Sequence, residues 1–442
     1  MNQILGELGK NSKFIELLNQ IEDKQSPIVI SGLNDVGAVQ LETAINQFGK
    51  QPICIITYNE IQAKKIYEDI KYFTDKVVLF PKKEVVTYDY VAESKDLPYQ
   101  RIEALNEIQA KKNLIVVTTI EAIIQKLPEK SYLYQNTLKF KVGDSYNLET
   151  LKQKLVELGY TRCELIEGRG QFSIRGGIVD ISIDHKIGTR IEFWGDEVDS
   201  VRDFSISSQR SINTKESITI YPAHEYVLGK SIEKVCNKIE ENKNNLNKEI
   251  IEEDIEQIKA GNYISKIDKY FDSFYERQNT ILDYLSNHYC IFLDEIGKIK
   301  QRAKNIQIDN KNLQSALIEK KRIVPDAISN MIDETKIEEI LEKKQLIYIE
   351  KQDSNIKVQA EKYRFTYREI NYFKSEIENL FIDLEKAINE KKKVYILLET
   401  KEKAKKLKKV LDEREIFCKI EEKLDKTIIV SSHENIVTLS IG

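Results

Sequence analysis

Two glycines near the N-terminus have the spacing of a phosphate-binding loop. Gly32 and Gly37 have four residues between them, follow a short apolar run and open a predicted helix. A working loop continues with a lysine, which neutralises phosphate charge, and a hydroxyl residue, which holds Mg²⁺. Here those positions are Ala38 and Val39, and Asp35 places a carboxylate where the phosphates would lie. The motif therefore predicts a degenerate loop that does not bind ATP.

Other candidates for catalysis are weaker. Asp294 and Glu295 follow an apolar run at 289–293, as at the end of a Walker B strand, but without the loop lysine they indicate a scaffold. An ordinary strand–turn–helix with two glycines remains the alternative for the loop itself. The four histidines are isolated, and the five cysteines lack the spacing of a zinc site. We therefore expect no catalytic residue, no metal and no cofactor.

A second window has the composition of a protein-binding surface. Six of the 17 glycines and the only tryptophan, Trp194, lie between residues 168 and 195. Along a strand at 190–194, Arg190, Glu192 and Trp194 share one face, while the apolar residues between them share the other. An exposed aromatic beside an arginine is typical of a binding hot spot. Two alternatives stay open: another part of the chain covers Trp194, or its ring stacks on nucleic acid, which the acidic neighbours disfavour.

The local turns of this window can also be predicted. Gly176 and Gly177 indicate a bulge or a close backbone approach where a side chain would not fit. Gly195 and Asp196 are expected to form the turn of a β-hairpin.

The surrounding elements give the architecture. Apolar runs at 27–31, 53–58, 77–80 and 114–119 alternate with helical segments, which favours a parallel, helix-covered sheet. Period-2 strands follow, then a Lys/Glu/Asn-rich helical region, whose charge runs are interpreted as solvated helix faces. A last unit combines helices with strands at 394–398, near 416–420 and at 427–431. The predicted domains are 1–129 and 223–350 (one α/β domain in two parts), 130–222 (an inserted β-rich module) and 351–442 (a further α/β domain).

Composition narrows the function classes. The chain of 442 residues has 68 Lys and Arg against 72 Asp and Glu, a net charge of −4. A dedicated duplex-DNA binder usually has a basic surplus, although a local patch could hide in this balance. The sequence lacks a signal peptide and an apolar run long enough to cross a membrane. We expect a cytoplasmic protein without membrane contact.

An ordered series of motifs carries a family resemblance. It comprises Gly159-Tyr160-x-Arg162, Gly170-x-Phe172-x-x-Arg175-Gly176-Gly177-Ile178-x-Asp180-Ile181, Arg190-Ile191-Glu192-Phe193-x-Gly195-Asp196-Glu197-Val198-Asp199-Ser200-x-Arg202-x-Phe204, Ser208-Gln209-Arg210-Ser211 and Pro222-Ala223-His224-Glu225. The series closely resembles the N-terminal region of the bacterial transcription-repair coupling factors (the Mfd family), which is similar to the excision-repair helicase UvrB. The agreement extends from about residue 10 to the end.

The resemblance implies a fold and a partner. It implies a degenerate P-loop domain of the RecA/helicase type, with an inserted module that recruits the damage-recognition protein UvrA. The family's contact positions fall on Arg175, Arg190 and Trp194, and the family often has Phe at the last of these. The implied function is non-enzymatic UvrA recruitment to stalled RNA polymerase in transcription-coupled nucleotide excision repair. A full-length parent would be an ATP-dependent translocase that binds RNA polymerase and duplex DNA through regions absent here.

Departures from the family pattern matter for the alternative, an active UvrB-type DNA helicase and ATPase that verifies damage. The missing lysine argues against it, as does segment 87–101, which is too short for UvrB's DNA-clamping hairpin. Gln171 replaces the family's common Glu, and residues 182–184 lack its usual proline. The end at Gly442 is interpreted as a third domain cut before its last strand.

Overall fold

A computed structural model of the protein describes residues 3–83, 96–182, 186–227, 232–241, 243, 248–259, 270–275, 277–319, 331–351, 359–367, 377–398, 400–421 and 437–441. Most of segment 87–101 and the predicted strand at 427–431 lie outside these residues. The expectations about a DNA-clamping hairpin and about that strand therefore stay predictions.

The described residues form sixteen helices and eighteen strands. The helices are α1 Gln3–Leu8, α2 Ser12–Glu22, α3 Asp35–Gly49, α4 Glu60–Lys71, α5 Leu97–Ala110, α6 Ile120–Ile123, α7 Lys130–Gln135, α8 Leu148–Glu157, α9 Ile232–Glu241, α10 Lys248–Lys259, α11 Phe271–Phe274, α12 Ile281–Tyr284, α13 Ile296–Glu319, α14 Glu334–Glu342, α15 Ile377–Asn389 and α16 Lys401–Asp412. The strands are β1 Ile28–Ser31, β2 Ile53–Thr57, β3 Val77–Phe80, β4 Ile115–Thr119, β5 Leu138–Lys141, β6 Thr161–Arg162, β7 Gln171–Arg175, β8 Ile178–Ser182, β9 Ile187–Trp194, β10 Glu197–Ser205, β11 Ser211–Lys215, β12 Ser217–Ile220, β13 Cys290–Asp294, β14 Gln345–Glu350, β15 Glu361–Arg364, β16 Tyr395–Leu398, β17 Cys418–Glu421 and β18 Val437–Ile441.

Side-chain caps explain where several helices begin. Asn34, Asn59 and Asn147 precede α3, α4 and α8, and each side-chain oxygen accepts a hydrogen bond from a backbone N–H in the first turn. Thr400 caps α16 in the same way. Such caps satisfy N–H groups that have no partner inside the helix.

The first unit is built on a parallel sheet of seven strands in the order β15-β1-β14-β13-β2-β4-β3. Its central strands are apolar on both faces because helices cover both sides, and two separate apolar cores lie against these faces. The predicted α/β class is confirmed. β15 lies beyond residue 350, where we placed the domain boundary, yet it pairs with β1; the proposed boundaries themselves stay predictions.

The β-rich module has its own sheet and core. Six strands follow the order β11-β10-β9-β8-β7-β6, and a two-stranded sheet pairs β12 with β5. Leu151 and Leu155 of α8 pack with Phe172, Val179 and Ile191 on one face of the larger sheet. The module core therefore covers one face of the six-stranded sheet, and the opposite face does not contribute to that core.

A buried ion pair connects the module's end to the first unit. The Arg101 side chain in α5 is fully buried and its Nε donates to Glu225, which follows the module. Arg101 also donates to the Pro81 carbonyl at 2.7 Å, and its guanidinium stacks on Phe80. Because a buried charge needs a partner, these contacts fix how the two units meet.

The last unit is a small parallel sheet, β16-β18-β17, packed against α15 and α16. Phe381 and Leu384 of α15 and Leu411 of α16 are buried against it.

Candidate partner-binding face

Strand β9 separates an apolar face from a polar one. Ile191 and Phe193 are buried in the module core, whereas Arg190 and Glu192 are half-buried and Trp194 is 85% exposed. This alternation confirms the predicted parity. None of the described residues covers the Trp194 ring, so a large apolar surface faces solvent at the end of the strand.

Asp180 in β8 joins the two arginines of this face. It lies directly opposite Arg190 in the sheet register, and only 1% of it is exposed. Arg190 Nε and Nη2 donate to its two carboxylate oxygens at 2.7 and 2.9 Å, and Arg175 Nη2 donates to Oδ2 at 2.7 Å. A bidentate arginine–carboxylate pair fixes the guanidinium in both position and orientation. We call Arg175, Arg190 and Trp194 the arginine–tryptophan face.

The two arginines differ in how far they are free to meet a partner. The Arg190 side chain is 17% exposed and its guanidinium stacks on the Phe204 ring, 4.8 Å from the centroid. The hydrogen bonds to Asp180 raise the pKa of Arg190. Arg175 is 48% exposed. Arg190 is thus the rigid member, and Arg175 keeps more N–H groups open to solvent.

A second charge pair lies between the arginines and the tryptophan. Arg202 Nη2 donates to Glu192 Oε2 at 2.6 Å, and Ser200 Oγ donates to the same oxygen at 2.8 Å. The pair neutralises Glu192 within the sheet. The negative charge of Glu192, one of the acidic neighbours of Trp194, is therefore compensated by Arg202.

Two tight turns shape the face. Gly176 and Gly177 connect β7 to β8, and Gly176 has a φ of +58°. A Cβ on Gly177 would lie 2.5 Å from the carbonyl oxygen of Phe193, so the predicted close approach is confirmed. The register shifts lie elsewhere, in β10, between Val198 and Ser200 and between Asp203 and Phe204. Gly195, with a φ of +62°, opens the predicted hairpin turn.

Sequence reasoning missed Asp180 as part of the face. The signal was present, because a single carboxylate interrupts the apolar run of β8 on the parity of the exposed side chains. Register decides that this carboxylate lies opposite Arg190. The sequence alone does not give that register.

The degenerate phosphate loop has core side chains where the lysine and hydroxyl residue would stand. Ala38 and Val39 are buried in the apolar core below α3. Gly32 has a φ of +80°, and Asn34 Oδ1 accepts a hydrogen bond from the Gly37 N–H at 2.8 Å. The loop thus closes on its own side chain.

An internal carboxylate attracts the cations near this loop. Asp35 pairs with Lys65 and Lys351, each at 2.6 Å, and Lys351 also lies 3.3 Å from Glu295. Burial alone would raise the pKa of Asp35, but the hydrogen bonds from the two lysines lower it overall. Asp35 therefore stays ionised and keeps both lysines in ion pairs.

The segment after β15 covers the same loop. The Tyr367 N–H donates to the Gly32 carbonyl at 3.2 Å, and its hydroxyl donates to Gln40. A Cβ on Gly37 would lie 2.9 Å from the Tyr367 ring, and one on Gly32 would clash with the Phe365 carbonyl. Protein atoms thus occupy the space next to both glycines.

Among the described residues, Asp294 at the end of β13 makes structural contacts. Asp294 is buried, accepts hydrogen bonds from Thr57 at 3.0 Å and Gln62 at 3.4 Å, and burial raises its pKa to about 6. Glu42 of α3 is also buried, and burial followed by the charge of Asp294 raises its pKa well above the ordinary value. Within the described ranges no group of three or more His, Cys, Asp or Glu side chains could hold a metal ion.

Comparison with known proteins agrees with this geometry. Residues 138–226, which include the whole arginine–tryptophan face, match the family model of the UvrB interaction domain. The transcription-repair-coupling factor of Bacillus subtilis is 29% identical over 342 residues, which cover 74% of this chain and 29% of that protein. The protein of the same name from Staphylococcus aureus (strain NCTC 8325) is 24% identical over 435 residues, or 93% of this chain and 36% of the relative. The chain spans about a third of the length of these relatives.

The resemblance seen in the sequence is thereby confirmed: this chain is similar over most of its length to the N-terminal, UvrB-like region of the transcription-repair-coupling factors.

Proposed function

We propose that this chain recruits UvrA through the arginine–tryptophan face, as part of transcription-coupled nucleotide excision repair. The observation that carries the proposal is Trp194, a fully presented indole beside two arginines, within the segment that matches the UvrB interaction domain. A large aromatic beside arginines is the composition typical of an interface anchor.

The proposed chemistry combines two kinds of contact. Arg175 and Arg190 share one carboxylate, so the group of three keeps a net positive charge. Their outward N–H groups are suited to acidic side chains of the partner, and the indole supplies buried apolar area. This fits a protein partner better than a nucleic acid, because Asp196 and Glu197 follow Trp194 in the hairpin and are both exposed.

We further propose that the chain does not hydrolyse nucleotide. The buried Ala38 and Val39, the Asp35–lysine pairs and the cover formed by Tyr367 all support this. ATP-driven translocation, RNA polymerase binding and the main contacts with duplex DNA would belong to other parts of a longer parent. Action on RNA polymerase would place the protein in the cytoplasm. Of the described helices, none has the length and apolarity needed to span a bilayer.

The test is the affinity of the whole chain for purified UvrA, measured by isothermal titration or biolayer interferometry. Arg190→Ala and Trp194→Ala should each weaken binding by about 1–3 kcal/mol, and Arg175→Ala by less. Phe417→Ala is the matched control, because Phe417 is an equally exposed aromatic, 78% accessible, in the last unit. Unchanged affinity in both Arg190→Ala and Trp194→Ala, with the fold intact by circular dichroism, would contradict the proposal.

A further inference from the structure

A groove of about 620 Å³ opens at the edge of the seven-stranded sheet where the parallel strands begin. Gln51 and Pro52, just before β2, line it together with His288 and Tyr289, just before β13. The degenerate phosphate loop follows β1 and therefore lies at the opposite edge. The groove is thus distinct from that loop and belongs to a different unit from the arginine–tryptophan face.

The charge of this groove is opposite to that of the chain. Its basic lining residues are Lys24, Lys50, Lys111, Lys112, Lys130 and His288. Among the described residues that line it, none is Asp or Glu, although the whole chain has a net charge of −4. Five lysines in a concave surface with low-dielectric walls focus a positive potential, which attracts polyanions.

The lysines come from separate segments of the chain. Lys24 follows α2, Lys50 follows α3, and Lys111 and Lys112 follow α5. Lys111 pairs with Glu107, whereas Lys130 donates to the Tyr284 carbonyl at 3.3 Å and Lys24 to Gln345 at 3.4 Å. Only Lys111 in this group has a carboxylate partner among the contacts of the described residues. The groove therefore keeps most of its positive charge available.

The remaining lining residues decide which polyanion fits. The rings of Tyr284 and Tyr289 are buried, so they cannot stack on splayed bases as single-strand binders require. No arginine of the described residues lines the groove to form bidentate contacts with base edges. Lysine ammonium groups act instead as point charges on phosphate. We propose that this groove binds the phosphate backbone of duplex DNA without reading its sequence.

The experiment measures binding of the whole chain to a fluorescently labelled duplex by anisotropy, from about 50 to 200 mM salt. Five phosphate contacts predict a slope of about −4.5 for the logarithm of the affinity against the logarithm of salt concentration. The triple variant Lys24→Gln, Lys50→Gln, Lys112→Gln should reduce the slope by about 3 and the affinity at the lowest salt by tenfold or more. All three side chains are exposed, so the fold should be unaffected.

The matched control uses three lysines from the other basic stretch. Lys405→Gln, Lys406→Gln, Lys409→Gln removes the same charge from the exposed side of α16 and should leave the slope unchanged. The proposal is overturned if the whole chain fails to bind duplex at the lowest salt, if the groove variant keeps the original slope, or if the α16 variant loses it instead. Displacement of the duplex by inorganic pyrophosphate, at concentrations too low to change ionic strength, would also overturn it by indicating a small-anion site.

Discussion

The buried carboxylate of Asp180 holds Arg190 by two hydrogen bonds across the β8–β9 register, at 2.7 and 2.9 Å. The same carboxylate accepts a third hydrogen bond from Arg175. One residue therefore orders both arginines before any partner arrives. Such preorganisation lowers the entropy that binding would otherwise cost.

We predict that Asp180→Asn weakens UvrA binding by about tenfold, because the arginines lose their fixed geometry. The loss should depend on the arginines. In an Arg175→Ala, Arg190→Ala background, Asp180→Asn should change the affinity by less than about twofold. The measurement is a double-mutant cycle by isothermal titration, with unfolding midpoints recorded for every variant.

Asp203→Asn is the control for that cycle. Asp203 is a buried, ion-paired carboxylate in β10, 2.8 Å from Lys215, on the parity of the module core. It should not affect UvrA binding. An equal loss from Asp180→Asn with and without the arginines would show that Asp180 acts only by stabilising the module.

We predict that nucleotides do not bind the Gly32–Gly37 loop. About 1 mM ATP with Mg²⁺ should leave the melting temperature unchanged, since a ligand stabilises a protein only by binding its native state. ATP turnover should be absent with and without DNA. The Gly37→Val variant alters the loop itself, because a larger side chain there would meet the Tyr367 ring. ATP turnover that survives purification and disappears in Gly37→Val would contradict the prediction.

The buried Asp294 predicts a pH-dependent stability difference. Its pKa is about 6 in the folded chain because of burial, above the ordinary 3.8, so its protonated form stabilises the fold and ionisation on raising the pH removes that stability. Asp294→Asn lacks this titration. Between pH 5 and 8 the free energy of urea unfolding should therefore fall more in the parent chain than in Asp294→Asn, by about 1–2 kcal/mol.

Gln62→Leu provides a check on the cause. Gln62 donates to Asp294 and lowers its pKa, so its removal should enlarge the pH-dependent loss rather than abolish it. Parallel pH profiles for the parent chain and Asp294→Asn would mean that Asp294 titrates near its ordinary pKa.

The sequence predicted the strands of the first sheet where apolar runs are long and uninterrupted. Strands β2, β3 and β4 were expected within one residue of their observed bounds, because two-sided burial demands continuous apolar side chains. β15 was missed, since Glu361–Arg364 is polar and half of an edge strand faces solvent. Its place beside β1 depends on long-range pairing that a local pattern does not encode.

The sequence predicted which side chains share the candidate face, but not the contacts that connect them. Period-2 alternation placed Arg190 and Trp194 on one side of β9, as observed. The link through Asp180 needs the register between β8 and β9, which two tight turns and the close approach of Gly177 to Phe193 determine. The cover over the phosphate loop likewise needs Tyr367 to return to a helix that begins at Asp35.

The order of strands in the first sheet sets the order in which the protein can form during synthesis. β1 lies between β14 and β15, so Ile28 pairs with its neighbours, Ile347 and Glu361, only after the segment through Glu361 has left the ribosome. The strands of the UvrB interaction domain pair mainly with their immediate successors and need no such delay. Contacts of low sequence separation form first. On a nascent chain, the β-rich module can therefore complete its sheet before the strands that flank β1 have been synthesised.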